Sequence, residues 1–183
     1  MGFMQLPHGP SPEMLKRAFG SFATGVAVIG VRCADGELVG MTVNSLTSVS
    51  MDPPLVLFCP AKSLAAYQAY AEAEHFTVSI LAEGSETVSN HFAKSGIDKW
   101  GTMAHSLGAS GAPYLESAVG VMECSVVGRH PAGDHLIVLG RVLRLKVSSS
   151  DEPLVFFRSR YRNLGAPNEV ASPASNAHLD VWG

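Results

Sequence analysis

Thr42-Val43-Asn44-Ser45-Leu46-Thr47-Ser48-Val49-Ser50 runs into Met51-Asp52-Pro53-Pro54 and then into Leu55-Val56-Leu57-Phe58-Cys59. Six small polar side chains fall in nine residues between two apolar stretches. The two prolines interrupt regular pairing, because a sheet ladder needs the N–H that proline lacks. The apolar run beyond them reads as a buried strand. The polar run admits two readings. It is a loop whose hydroxyls satisfy their own backbone, or a set of uncharged donors and acceptors for a planar heterocycle or a ribityl chain.

Strand signals extend on both sides. Residues 26–31 are β-branched and apolar, Ala34-Asp35-Gly36 supplies turn chemistry, and residues 38–43 complete a hairpin. Before them, Ser11, Pro12 and Glu13 start a helix whose apolar positions Met14, Leu15, Ala18, Phe19 and Phe22 repeat at helical spacing. Residues 1–12, with three prolines, read as a loose arm. Downstream, Ser63 is expected to cap a helix reaching about residue 73, followed by a strand at 76–81 and a helix at 83–93. Residues 96–113 form one long loop rich in Gly and Ser. Long strands at 119–127 and 136–147 flank the turn His130-Pro131-Ala132-Gly133-Asp134, and 154–157 is the last strand. Residues 166–183 read as an extended tail, which leaves 13–165 as the domain. Many strands joined by tight turns, with short helices, define a mostly β, antiparallel fold such as a small barrel.

Composition narrows the function. Charged residues are 16% of the 183, against about 25% in an average domain, while 46% are hydrophobic. The missing solvating charge implies that a second subunit or a ligand covers part of the surface. A net charge of −3 lacks the basic field of a nucleic-acid binder. No apolar run of ~18 residues exists to span a membrane. Residues 1–12 lack the basic start and apolar core of a secretion signal. Cys33, Cys59 and Cys124 are odd in number and far apart, which suits neither a disulfide framework nor a zinc site. A cytoplasmic location is expected.

Several chemistries are absent as motifs. There is no Gly-x-Gly-x-x-Gly, no His-Glu-x-x-His and no Gly-x-Ser-x-Gly. Gly128 and Gly133 have P-loop spacing, but Asp134 and His135 follow where Lys and Ser or Thr are required. Lys62-Ser63 reads either as a phosphate site at a helix start or as an N-cap beside a surface lysine. Gly133-Asp134-His135 is either plain hairpin chemistry or a catalytic turn. Arg158, Arg160 and Arg162 alternate along a solvated strand edge, or face an anionic ligand.

Taken together, these segments resemble the flavin reductase-like family of the FMN-binding split barrel, the reductase components of two-component flavin-dependent monooxygenases. The resemblance runs over residues 19–164. It rests on Phe22-Ala23-Thr24-Gly25-Val26, the run from Thr42 to Ser50, Asp52-Pro53-Pro54-Leu55-Val56, Lys62-Ser63, Phe92-Ala93, Asp98-Lys99-Trp100, Cys124, Gly133-Asp134-His135 and Tyr161-Arg162-Asn163-Leu164. It implies a six-stranded antiparallel Greek-key split β-barrel, and a homodimer with flavin at the subunit interface. It implies hydride transfer from NADH or NADPH to FMN or FAD, with reduced flavin passed to a partner monooxygenase. By the same resemblance Thr42, Asn44, Ser45, Thr47 and Ser48 contact the isoalloxazine edge and ribityl chain, and Ser50 and Ala61 also bind the cofactor. Lys62 and Ser63 hold the phosphate, and Asn90, Phe92, Lys99 and Trp100 close the site. Gly133, Asp134 and His135 meet the nicotinamide, with His135 as the catalytic candidate. Trp100 stands where phenylalanine is more usual, so a larger ring is expected to narrow the site. The alternatives are a split-barrel flavoprotein with tightly bound FMN that reduces a corrin or an iron chelate, and a non-catalytic flavin-binding module.

Overall fold

A computed structural model describes residues 9–96, 98–148 and 152–165. Most of the expected arm and the whole of the expected tail lie outside these residues. Ser11 starts α1 (Pro12–Phe19): its side-chain oxygen accepts from the Met14 N–H at 3.3 Å, and Pro12 sits where no intrahelical N–H is needed. None of the helix's residues is buried, and Phe22 just beyond it is 76% exposed. Among the described residues the apolar stripe read from the sequence is therefore left uncovered.

The strands follow as β1 (Thr24–Gly25), β2 (Ala27–Arg32), β3 (Leu38–Val43), β4 (Thr47–Met51) and β5 (Pro54–Phe58). After α2 (Tyr67–Glu72) come β6 (His75–Ile80), α3 (Glu86–Ala93), β7 (His105–Leu107), β8 (Pro113–Leu115), β9 (Gly120–Ala132), β10 (His135–Val147), β11 (Val155–Phe157) and β12 (Arg160–Arg162). The principal sheet has seven strands in the order β3-β2-β6-β9-β10-β5-β4, and small sheets β1-β11-β12 and β7-β8 flank it. Every ladder is antiparallel. The fold is thus mostly β with short helices. Among the described residues no ladder joins the edge strands β3 and β4, so the sheet does not close into a barrel, and it carries seven strands where six were expected.

The period of two along β2 builds the molecule. Ala27, Ile29 and Val31 face one core with Met41, Val43, Val56, Phe58, Tyr70, Phe76 and Val78. Val26 and Val28 face a second core with Leu81, Phe92, Trp100, Leu115 and Leu154. Helix α2 covers the first core and α3 belongs to the second.

Several elements differ from the sequence reading, each for a local reason. The polar run is not a loop throughout: Thr47–Met51 pairs with β5 as an edge strand, where polar side chains face water at no cost. Ser63 does not cap α2. Ala66 precedes the helix without a side-chain cap, and residues 61–67 turn through i→i+3 bonds such as Leu64 N–H to the Ala61 carbonyl, 3.1 Å. Helix α3 starts at Glu86 rather than near 83, because Glu83 N–H bonds the Glu152 carbonyl at 2.8 Å instead of entering the helix. The long loop 96–113 contains β7, paired with β8. The β9–β10 turn is two residues, not five, because pairing continues to Ala132↔His135. A further strand, β12, follows the one taken as last.

Candidate functional site

A cavity of about 1300 Å³ opens between β3, the segment after β5, α2, the end of α3 and the residues that follow it. That exceeds the ~300–1,000 Å³ usual for one small ligand. One wall is the β3 edge, from Leu38 to Val43, continued by Asn44 and Ser45. Cys59, Pro60, Ala61 and the approach to α2, ending at Tyr70, form the floor. Phe92 to Gly96, Asp98 to Gly101 and His105 form the opposite wall among the described residues, and His135 stands at the rim.

Gly40 decides how close the walls come. A Cβ there would meet the Phe92 ring at 2.7 Å and Trp100 Nε1 at 2.9 Å, so only glycine lets these rings lie on the strand. Phe92 and Trp100 pack edge to face with centroids 4.6 Å apart, and both are buried. Trp100 therefore serves mainly as core behind the wall. Lys99 bolts this wall to the sheet: Nζ donates to the Gly40 and Phe92 carbonyls, each at 2.8 Å. Its burial pulls the ammonium pKa down, while the Phe92 carbonyl at the negative end of α3 favours the charge.

The polar wall is partly committed. Thr42 Oγ1 donates to the Ser89 carbonyl at 2.6 Å, which ties β3 to α3. Ser45 Oγ accepts from Cys59 N–H at 3.1 Å, which leaves its own proton to donate. Among the described residues the exposed Asn44 amide has no protein partner. At the rim, Ala61 forms an antiparallel bridge with His135, and Leu136 N–H donates to the Pro60 carbonyl at 3.0 Å. Lys62 donates from its backbone to the Asp134 carbonyl at 2.8 Å and from Nζ to the Gly133 carbonyl at 2.6 Å. Asp134 Oδ1 lies 2.7 Å from His135 Nδ1, and this hydrogen bond holds the Asp134 carboxyl below the usual range.

Of the residues named from the sequence, Thr42, Asn44, Ser45, Ala61, Phe92, Lys99, Trp100 and His135 line one cavity. Thr47, Ser48 and Ser50 sit on β4 outside the lining, and Ser63 lies in the turn before α2. Lys62, Gly133 and Asp134 are exposed at the rim rather than in the wall. Asn90 is exposed on α3, its Oδ1 accepting from the Tyr161 hydroxyl at 2.9 Å. The phosphate argument from a helix start does not hold, because α2 begins at Tyr67 and has only six residues. Sequence reasoning missed Cys59, Tyr70 and His105 as lining residues. His105 holds its Nδ1 2.8 Å from the Met103 carbonyl and packs edge-on to Trp100. No pattern marked it, since it lies in the Gly- and Ser-rich stretch read as a loop, where the short strand β7 begins. Burial pushes the Cys59 thiol pKa up.

The β3 wall offers uncharged hydroxyl, amide and backbone groups, while Glu37, Glu72, Lys94, Asp98 and Lys99 line other parts of the cavity. Cys33 and Glu37, which converge with Asp35 at the β2–β3 turn, belong to the lining. The β3 wall fits a neutral, flat, hydrogen-bonding ring system. Residues 19–165 match the model of the flavin reductase like domain, and the chain belongs to that family. A flavin reductase of Pseudomonas putida is 35% identical over 155 residues, covering 85% of this chain and 91% of that protein. An NADH-dependent FAD reductase of Streptomyces globisporus is 40% identical over 153 residues, covering 81% and 83%. A probable flavin reductase of Rhizobium meliloti (strain 1021) is 43% identical over 131 residues, which are 72% of this chain and 42% of that longer protein. Among solved structures, the Streptomyces globisporus C-1027 NADH:FAD oxidoreductase SgcE6 superposes with a TM-score of 0.81 at 37% identity, covering 89% of this chain and all of that one. The styrene monooxygenase flavin reductase of Pseudomonas putida S12 gives 0.76 at 34%, covering 84% and 99%.

Proposed function

We propose that the chain is an NADH:flavin oxidoreductase that reduces FMN or FAD and supplies reduced flavin to a partner monooxygenase. The observation that carries this is the Ala61–His135 bridge, which sets the Gly133-Asp134-His135 turn on the rim of a cavity whose β3 wall carries the uncharged hydrogen-bonding groups of Thr42, Asn44 and Ser45. Bound flavin and nicotinamide bring the chemistry themselves, a hydride leaving the nicotinamide C4 for the flavin N5, so the protein needs no nucleophile. Its task is to hold two flat rings at near-attack distance. Asn44 and Ser45 offer a donor and an acceptor to the flavin edge, and Phe92 and Trp100 back the apolar wall. Asp134 orients His135, whose Nε2 remains free to meet the nicotinamide. Lys62 meets the flavin phosphate from the rim. NADH-family relatives and the match over 19–165 support this reading.

We take 13–165 as the domain and the open seven-stranded sheet as the split barrel of this family. A homodimer completes it. Leu145 (69% exposed), Met51 (74%) and Phe22 leave apolar surface that a second copy would cover. No helix among the described residues is long and apolar enough to cross a membrane. Steady-state kinetics test the reading: the rate of NADH oxidation saturates with added flavin. NADH oxidation that is absent at all flavin concentrations overturns it.

A further inference from the structure

Lys62 is one of three consecutive residues, with Pro60 and Ala61, through which two parts of the cavity rim touch. The strand-like segment 60–62 lies against the start of β10, held by the Ala61–His135 bridge and the Leu136 N–H to Pro60 carbonyl bond. The side chain of Lys62 then reaches over the turn and places Nζ 2.6 Å from the Gly133 carbonyl. Gly133 has a left-handed φ of +59°, which a side chain there would strain. An ammonium has three N–H donors. One goes to Gly133, and because the residue is exposed the others are free to take an anion at the rim.

We propose that Lys62 couples the two substrates: one N–H on the Gly133 carbonyl and another on the flavin phosphate, so that an occupied phosphate position fixes the turn that carries His135. This rests on the flavin-reductase reading and adds a linkage to it. An exposed lysine bond is weak because a long side chain must give up its rotamers to make it. A phosphate that has already immobilised the side chain removes that cost, and the nicotinamide then meets a turn already in place. Linkage is reciprocal, so bound nicotinamide also tightens phosphorylated flavin by the same factor. A single exposed contact sits at the low end of such couplings, about three- to fivefold.

The test compares riboflavin, which lacks the phosphate, with FMN as acceptor, and reads the KM for NADH in the wild type, Lys62→Met and Lys62→Arg. The wild type is expected to show an NADH KM about three- to fivefold lower with FMN than with riboflavin. Lys62→Met is expected to bring that ratio to about one, and Lys62→Arg to restore most of it. A melting temperature matching the wild type accompanies this, since the side chain is exposed. A ratio that survives Lys62→Met, or one that is absent in the wild type, overturns the coupling. Failure of both acceptors to support NADH oxidation overturns the functional reading itself, and with it the inference. Reduction of both flavins with no phosphate effect overturns only the coupling.

Discussion

Nδ1 of His135 stands 2.7 Å from Oδ1 of Asp134, one residue earlier, at the tip of the longest ladder among the described residues. An ionised carboxylate can only accept, so Nδ1 carries the proton and Nε2 is left for another partner. The side chain of Asp134 is almost fully exposed, and the bond holds because the two residues are adjacent rather than because they are buried. Its carboxyl pKa lies below the usual range, so the contact is complete above that range and is lost only as the pH falls through the lowered value.

His135→Ala is expected to slow the nicotinamide half of the reaction. If the imidazole makes one neutral hydrogen bond to the nicotinamide, the loss is about two- to twelvefold in kcat/KM for NADH. Flavin affinity stays within about threefold, because that bond is made to the nicotinamide and not to the flavin. Asp134→Ala is expected to give a smaller loss of the same kind, since it releases the ring without removing it. A larger loss, ~10²-fold, that varies with pH would make His135 a proton donor instead.

Gly40→Ala is expected to destabilise the fold by about 1–3 kcal/mol in denaturant unfolding, because the new methyl meets Phe92 and Trp100 below 3 Å. The same change paired with Trp100→Phe should recover part of the loss. An unchanged midpoint would show that these rings do not lie on β3.

Much of the fold was legible because the apolar strands alternate or run continuously. The β2–β3 hairpin and the two long strands β9 and β10 follow from pattern alone. What pattern could not show was pairing. Thr47–Met51 carries the composition of a loop and becomes a strand only because β5 offers a partner. Ser63 has the chemistry of a cap, yet the chain tightens into i→i+3 turns and α2 starts later. For the site, motif order brought Asn44, Ser45, Phe92, Lys99 and His135 to one cavity. It could not tell wall from rim, which is why Lys62 and Asp134 lie where the chain is exposed. His105 and Tyr70 needed the fold, because neither stands in a spacing that sequence can read.

Assembly is tested by a charge placed on the exposed apolar strand. The wild type should sediment at twice the chain mass at micromolar concentration, and Leu145→Glu should shift it to the monomer, since an unpaired charge in an apolar interface is costly. Identical monomeric sedimentation for both would remove the second copy from the account.

Thiol chemistry gives a prediction independent of function. Burial, with Glu123 as the lesser cause, pushes the Cys124 pKa up to about 12. A thiol whose folded pKa is raised favours the folded state less as it ionises, so its contribution is complete below about 8.5 and is lost as pH rises toward the folded value. Alkylation at pH 8 should therefore label the half-buried Cys33 and Cys59 first and reach Cys124 only on unfolding. Cys124→Ala should flatten the alkaline loss of stability.

The most direct measurement is anaerobic mixing of the protein and FMN, or FAD, with NADH, followed at the oxidised-flavin band near ~450 nm. Bleaching to completion at one NADH per flavin, slowed in His135→Ala, is the expected result. A flavin that binds the protein yet keeps its band in excess NADH would contradict the central claim.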